Sequence, residues 1–227
     1  MPRVLLPLVM CLLWGVMPAT AYAKEMDFRL VPFGDAASCE KQKCIFVIAA
    51  DGDITNDTPD VFKAFAKKNL KNPRVRAVVF LNSLGGGVMA SMALGQMFRA
   101  AGVLAIIGRL DREEGGPPAS SYIPAGHCFS ACVYAFIGAK KRIVPPYSAL
   151  GIHRMYSYEA EHNAKGLLSG VHKIYGDKDF VDRLAAYASG MGVSRTMVRT
   201  AEKIDSTKIH IITPQELTRW NIGSQNF

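Results

Sequence analysis

Apolar runs and helix-like spacings alternate along the chain, and their order predicts strands and helices in turn. Residues 44–50 (Cys-Ile-Phe-Val-Ile-Ala-Ala) form a short, β-rich apolar run that Asp51-Gly52-Asp53 stops, which predicts a buried strand and a turn. Thr58-Pro59-Asp60 opens a helix: Thr58 supplies a cap, Pro59 suits the first helical position, and Val61, Phe62 and Phe65 follow. Residues 75–81 predict a second buried strand, which runs into Asn82-Ser83-Leu84-Gly85-Gly86-Gly87. A helix starts at once, with Met89, Met92, Ala93, Met97 and Ala100 on one face, and Gly102 closes it before a third strand over 103–107.

Residues 111–125 are polar and Gly/Pro-rich, the signature of a surface loop. Residues 126–138 return to a small, apolar, helical composition. Another strand over 148–152 delivers His153 at its end, and the remainder reads as mostly helical, from Leu167, Val171 and Ile174 through Phe180, Val181 and Leu184. Thr213-Pro214-Gln215-Glu216 is a capping-box start for a last short helix. Alternation of strand and helix with crossover-length connections predicts one α/β domain over 44–227 with a largely parallel sheet, preceded by an irregular lead-in over 24–43.

The N-terminus changes the compartment. Arg3 precedes an uncharged apolar stretch over 4–17, and Ala21-Tyr22-Ala23 is a small-x-small cleavage site, so residues 1–23 read as a secretory signal cut after Ala23. The stretch is shorter than the ~20 residues a membrane span needs. The expectation is export, with a bacterial periplasm as destination. Composition adds little else: 227 residues, 49% hydrophobic, with a formal charge of +8, are enough for a sizeable core. The basic residues are scattered and lack aromatic platforms, which argues against nucleic acid.

Beyond Cys11 in the leader, four cysteines remain: Cys39, Cys44, Cys128 and Cys132. An even number in an exported chain predicts disulfides. Of three pairings, the sequence-local one, Cys39 with Cys44 and Cys128 with Cys132, is expected. The rival is zinc held by Cys128, Cys132, His127 and His153, but no second ligand pair follows at finger-like spacing, so no metal is expected.

Two features carry chemistry. The glycine segment leaves a strand and enters a helix, where bare N–H groups stabilise an anion or oxyanion. It is neither G-x-G-x-x-G nor a P-loop, which disfavours nucleotides; no cofactor is expected. Gly126-His127-Cys128-Phe129-Ser130-Ala131-Cys132 places a serine at the start of an apolar helix among small residues. His153, 23 residues on, ends the next strand and is a candidate base. Each residue alone has a plain structural reading, Ser130 as a helix cap and His153 as a packed histidine.

Residues 81–88 (Leu-Asn-Ser-Leu-Gly-Gly-Gly-Val) resemble the N-S-P-G-G-S-V segment of the Clp protease proteolytic subunit. Gly138-Ala139-Lys140-Lys141-Arg142 and residues 146–153 resemble that family's G-A-x-x-R and P-x-S-x-x-x-x-H, and Thr213-Pro214-Gln215-Glu216-Leu217 its closing S-A-x-E-A helix. The similarity runs from about residue 44 to 222, with Leu84 where the family has Pro and Gly87 where it has Ser. The resemblance implies a crotonase/ClpP-like α/β fold with ββα-type repeats and a C-terminal helical segment. It implies a serine peptidase in which Ser130 is the nucleophile, His153 the general base, Asp205 the residue orienting it, and Gly86 and Ala131 the oxyanion donors. It also implies a homo-oligomer acting on peptides or unfolded protein. No ATPase-docking segment is recognisable, so no ATPase partner is expected. The alternatives are a catalytically inactive oligomeric binding or structural module of the same fold, and an acyl-CoA enzyme, against which export argues.

Overall fold

The computed structural model describes residues 24–34, 39, 41, 43–110 and 124–226; the signal-peptide reading over 1–23 and most of the polar loop lie outside them. A five-stranded sheet orders β1 (Asp27–Phe33), β2 (Ile45–Asp51), β3 (Val75–Asn82), β4 (Leu104–Ile107) and β6 (Lys141–Ile143) side by side. β2, β3, β4 and β6 run parallel, and β1 lies antiparallel on the edge. Helices α1 (Thr58–Asn69) and α2 (Val88–Ala100) cross between the parallel strands. A short sheet of β5 (His127–Phe129), β7 (Ala149–Ile152) and β10 (His210–Ile211) follows, with helix α3 (Cys132–Gly138) leaving β5. β8 (Tyr156–His162) and β9 (Leu168–Tyr175) form a separate hairpin, and α4 (Lys178–Gly190), α5 (Arg195–Ala201) and α6 (Pro214–Arg219) complete the chain.

The near-continuous apolar character of the central strands follows from burial on both faces. Ile48, Val79, Leu81, Ala105 and Ile107 join one cluster with Phe62, Leu94 and Phe98 of α1 and α2. The alternating positions Val47, Ala49, Phe80 and Ile106 join Val31 and Ile143 in a second cluster. Helix α3 is buried along its whole length. Arg142 ties its end to the C-terminal elements by donating to the carbonyls of Ile137 (2.8 Å), Met191 (3.1 Å) and Asn221 (3.0 Å). Burial, with Arg99 nearby, lowers the pKa of the Arg142 guanidinium from its usual value.

Four expectations are corrected. The lead-in contains an edge strand: Phe28, Leu30 and their neighbours pair with β2 from Asp27↔Asp51 to Phe33↔Ile45. Leu167, Val171 and Ile174 lie not on a helix but on the β8–β9 hairpin and its turn; the i, i+4, i+7 spacing is fortuitous, because Tyr156, Tyr158, Val171 and Lys173 alternate along paired strands. Residues 127–129 are strand, so the helix begins only at Cys132, and Thr58 lies inside α1 rather than capping it: Asp57 holds the N-cap position without a side-chain bond, and the Thr58 hydroxyl accepts from Thr55 N–H (2.8 Å). Both sequence-local disulfides, Cys39–Cys44 and Cys128–Cys132, are present, which removes the thiols of Cys128 and Cys132 as zinc ligands.

Candidate active site

The carboxyl end of β3 and the start of β5 meet side by side. Ser83 N–H donates to the His127 carbonyl (2.7 Å) and Phe129 N–H to the Ser83 carbonyl (3.1 Å). That pairing sets the glycine turn against the end of β5. β5 in turn lies parallel to β7 with Phe129 opposite Gly151, so both strands release their chains at the same level. Ser130 leaves one and His153 the other.

Ser130 has φ +57°, the left-handed region that residues with a Cβ disfavour. Its N–H donates to the Gly151 carbonyl (2.9 Å). The reversal from strand to helix takes only Ser130 and Ala131, and among the described residues the Ser130 hydroxyl meets no hydrogen-bond partner. Gly85 abuts it: a Cβ at Gly85 would lie 2.9 Å from the Ser130 Cβ and 3.4 Å from its Oγ. Gly85 (φ +127°) and Gly86 (φ +125°) use backbone angles that side chains rarely allow. The turn is pinned by the Ile54 N–H donating to Gly85 O and the Gly87 N–H to Ile54 O, each 2.8 Å. Among the described residues the N–H groups of Gly86 and Ala131 have no acceptor within the chain.

His153 is 6% exposed. Its Nδ1 lies 2.8 Å from the Arg154 carbonyl, which only accepts, so Nδ1 carries the proton and the neutral ring keeps its lone pair on Nε2. Burial lowers the imidazole pKa from the usual 6.5; the Arg154 carbonyl opposes this and the Lys173 cation adds to it. No hydrogen bond joins Ser130 to His153.

Asp205 does not reach the imidazole. It is exposed, and its carboxylate accepts from Thr207 N–H (2.8 Å) and Thr207 Oγ1 (2.6 Å), holding the turn before β10. An acid the sequence reading missed reaches the chain just beyond the histidine. Glu202, at the end of α5, pairs with Arg154 Nε at 3.3 Å, and burial raises its carboxyl pKa. Arg154 also stacks on Tyr175 (4.1 Å) and donates its N–H to Ile204 O (3.1 Å), so Glu202 steadies the residue whose carbonyl orients His153. Nothing in the sequence separates Glu202 from Asp205: both lie between the long helix and the last one, and only the fold sorts them.

The hairpin supplies a side of the site. Tyr156 lies 5.9 Å from the His153 ring, and Lys173 Nζ sits 4.2 Å over Tyr156 while donating to Ser206 Oγ (2.9 Å). Beside them Met155, Tyr156, Ile174, Tyr175 and Phe180 line a cavity of about 290 Å³. Among the described residues no helix is long and apolar enough to cross a membrane.

No family model and no curated protein matches the chain. Solved structures do. A serine-to-alanine variant of the 1510-N membrane-bound stomatin-specific protease matches with TM-score 0.50 and 18% identity, over 79% of this chain and 78% of that one. A lysine-to-alanine variant of that protease, in complex with a substrate peptide, matches equally over 79% and 74%. An asparagine-to-aspartate variant of ClpP1 from Listeria monocytogenes matches with TM-score 0.46 and 15% identity, over 78% and 88%. The parallel sheet with its crossover helices, together with the match to the stomatin-specific protease, gives this chain the fold of the ClpP-like peptidases.

Proposed function

We propose that the chain is an exported, ATP-independent serine peptidase that works through an acyl-enzyme. The observation that carries the reading is the Ser130 elbow: a serine at φ +57° packed against the Gly85–Gly86 turn, where among the described residues the Ser130 hydroxyl and the N–H groups of Gly86 and Ala131 meet no partner. Ser130 Oγ attacks the scissile carbonyl, His153 Nε2 takes its proton and returns it to the leaving amine, and the two N–H groups hold the oxyanion. The Arg154 carbonyl fixes the tautomer, the task a carboxylate performs in a Ser-His-Asp triad. The cavity beside Tyr156, lined mainly by apolar and aromatic side chains with Ser157 and Asp177 among them, accommodates a side chain of a peptide or unfolded segment. The active form is a homo-oligomer, and the signal is removed after Ala23 in a bacterial periplasm.

Among the described residues no carboxylate bonds to His153, whose Nδ1 meets the Arg154 carbonyl instead, and this favours a second reading, a catalytically inactive oligomeric module. Hydrolysis of an unfolded, fluorescently quenched polypeptide by the purified mature chain without ATP separates the two. The peptidase reading expects turnover that Ser130→Ala abolishes; the same turnover in Ser130→Ala refutes it.

A further inference from the structure

The Cys128–Cys132 disulfide brackets Ser130. Cys128 is the middle residue of β5 and Cys132 the first of α3, so the bond ties the strand to the helix across the elbow. A left-handed serine persists only where its surroundings over-determine the backbone. Two hydrogen bonds help: Ser130 N–H to Gly151 O (2.9 Å) and Val133 N–H to Ser130 O (3.2 Å). Water replaces such bonds when a turn flips. The covalent tie cannot be replaced so. It keeps the two Cα atoms 5.3 Å apart, where an extended stretch of the same length would set them roughly 13 Å apart.

The position of the bond says more than its contribution to folding. The chain entropy that a crosslink removes grows with loop length, and a sequence separation of 4 closes a very small loop. Both cysteines are fully buried, at 0% exposure, out of reach of thiols in solution once the chain has folded. The loop they close contains one of two non-glycine residues at positive φ among the described residues.

We infer that Cys128 and Cys132 are positioning residues: their disulfide holds Ser130 in the left-handed conformation that presents Oγ between the glycine turn and the His153 strand, and the dithiol chain is a poor nucleophile. This rests on the reading of Ser130 as the nucleophile. Forming the bond releases two electrons and two protons to a disulfide oxidant, which leaves as a dithiol. A chain that meets such an oxidant only after export carries its site residues unarmed where it is made.

The test compares oxidised wild type with Cys128→Ala/Cys132→Ala, and with wild type refolded under a phosphine reductant, which deletes no atom of the core. Circular dichroism establishes folding. A fluorophosphonate is the probe. Its limiting inactivation rate should fall on the order of 10- to 100-fold in both forms that lack the Cys128–Cys132 bond, with half-saturation unchanged and the acid limb set by His153 in place. A crystal structure of the double variant should show Ser130 at negative φ. Labelling at the oxidised rate, or Ser130 still near +57°, overturns the inference. Where oxidised wild type itself fails to label, the nucleophile reading fails instead, and the Ser130 backbone in the two crystal structures alone decides whether the bond is the clamp.

Discussion

Gly85→Ala is the substitution whose effect on Ser130 can be worked out most fully. At φ +127° an alanine is strained, by about 1–3 kcal/mol for a backbone region so sparsely populated. The new methyl would also stand 2.9 Å from the Ser130 Cβ and 3.2 Å from the Phe129 carbonyl, so the elbow or the turn must shift. Overpacking of this kind costs about 1–3 kcal/mol. Together the loss is on the order of 2–6 kcal/mol, within the total stability of an ordinary domain, and the melting temperature should fall by about 10 °C. The methyl lies 3.4 Å from Ser130 Oγ, so on the proposed role of Ser130 the fluorophosphonate labelling rate should drop at least ~10-fold as Oγ is displaced. Gly190→Ala, whose added methyl meets nothing within 4 Å, is the control and should leave labelling unchanged. The reasoning is refuted if Gly85→Ala melts and labels like the control.

Other perturbations probe separate parts of the site. Lys173 disfavours the charged imidazole of His153, so Lys173→Ala should raise that pKa and move the acid limb of the pH–rate profile to higher pH; a shift downward would contradict the electrostatic assignment. Asp205→Asn should keep labelling within about twofold, because its carboxylate serves Thr207; a ~10⁴-fold fall, of the size that loss of the carboxylate brings in a Ser-His-Asp triad, would return Asp205 to the histidine. Arg142→Ala removes charged donors from the Ile137, Met191 and Asn221 carbonyls and should cost about 2–4 kcal/mol in urea denaturation, whereas a loss under ~1 kcal/mol would show that those carbonyls find water.

The central strands were legible because burial on both faces makes them apolar without a break, and the glycine turn because its residues permit angles that others do not. The hairpin was not: its apolar residues mimic helical spacing, and its alternation shows only once Tyr158 is seen opposite Lys173. Ser130 and His153 were readable as residues at element ends, since a parallel pair brings such ends together. The orienting group was beyond reach, because a backbone carbonyl leaves no trace in sequence. The Glu202–Arg154 pair was equally hidden, as 48 positions separate the partners and only the packing of α5 joins them.

The most direct measurement is mass-spectrometric mapping of a fluorophosphonate adduct on the mature, oxidised chain beside Ser130→Ala and His153→Ala. One adduct on Ser130, absent from the first variant and slowed at least ~10³-fold in the second, is the predicted result. An adduct on another residue, or none on a folded chain, would contradict the assignment of Ser130 as an activated nucleophile.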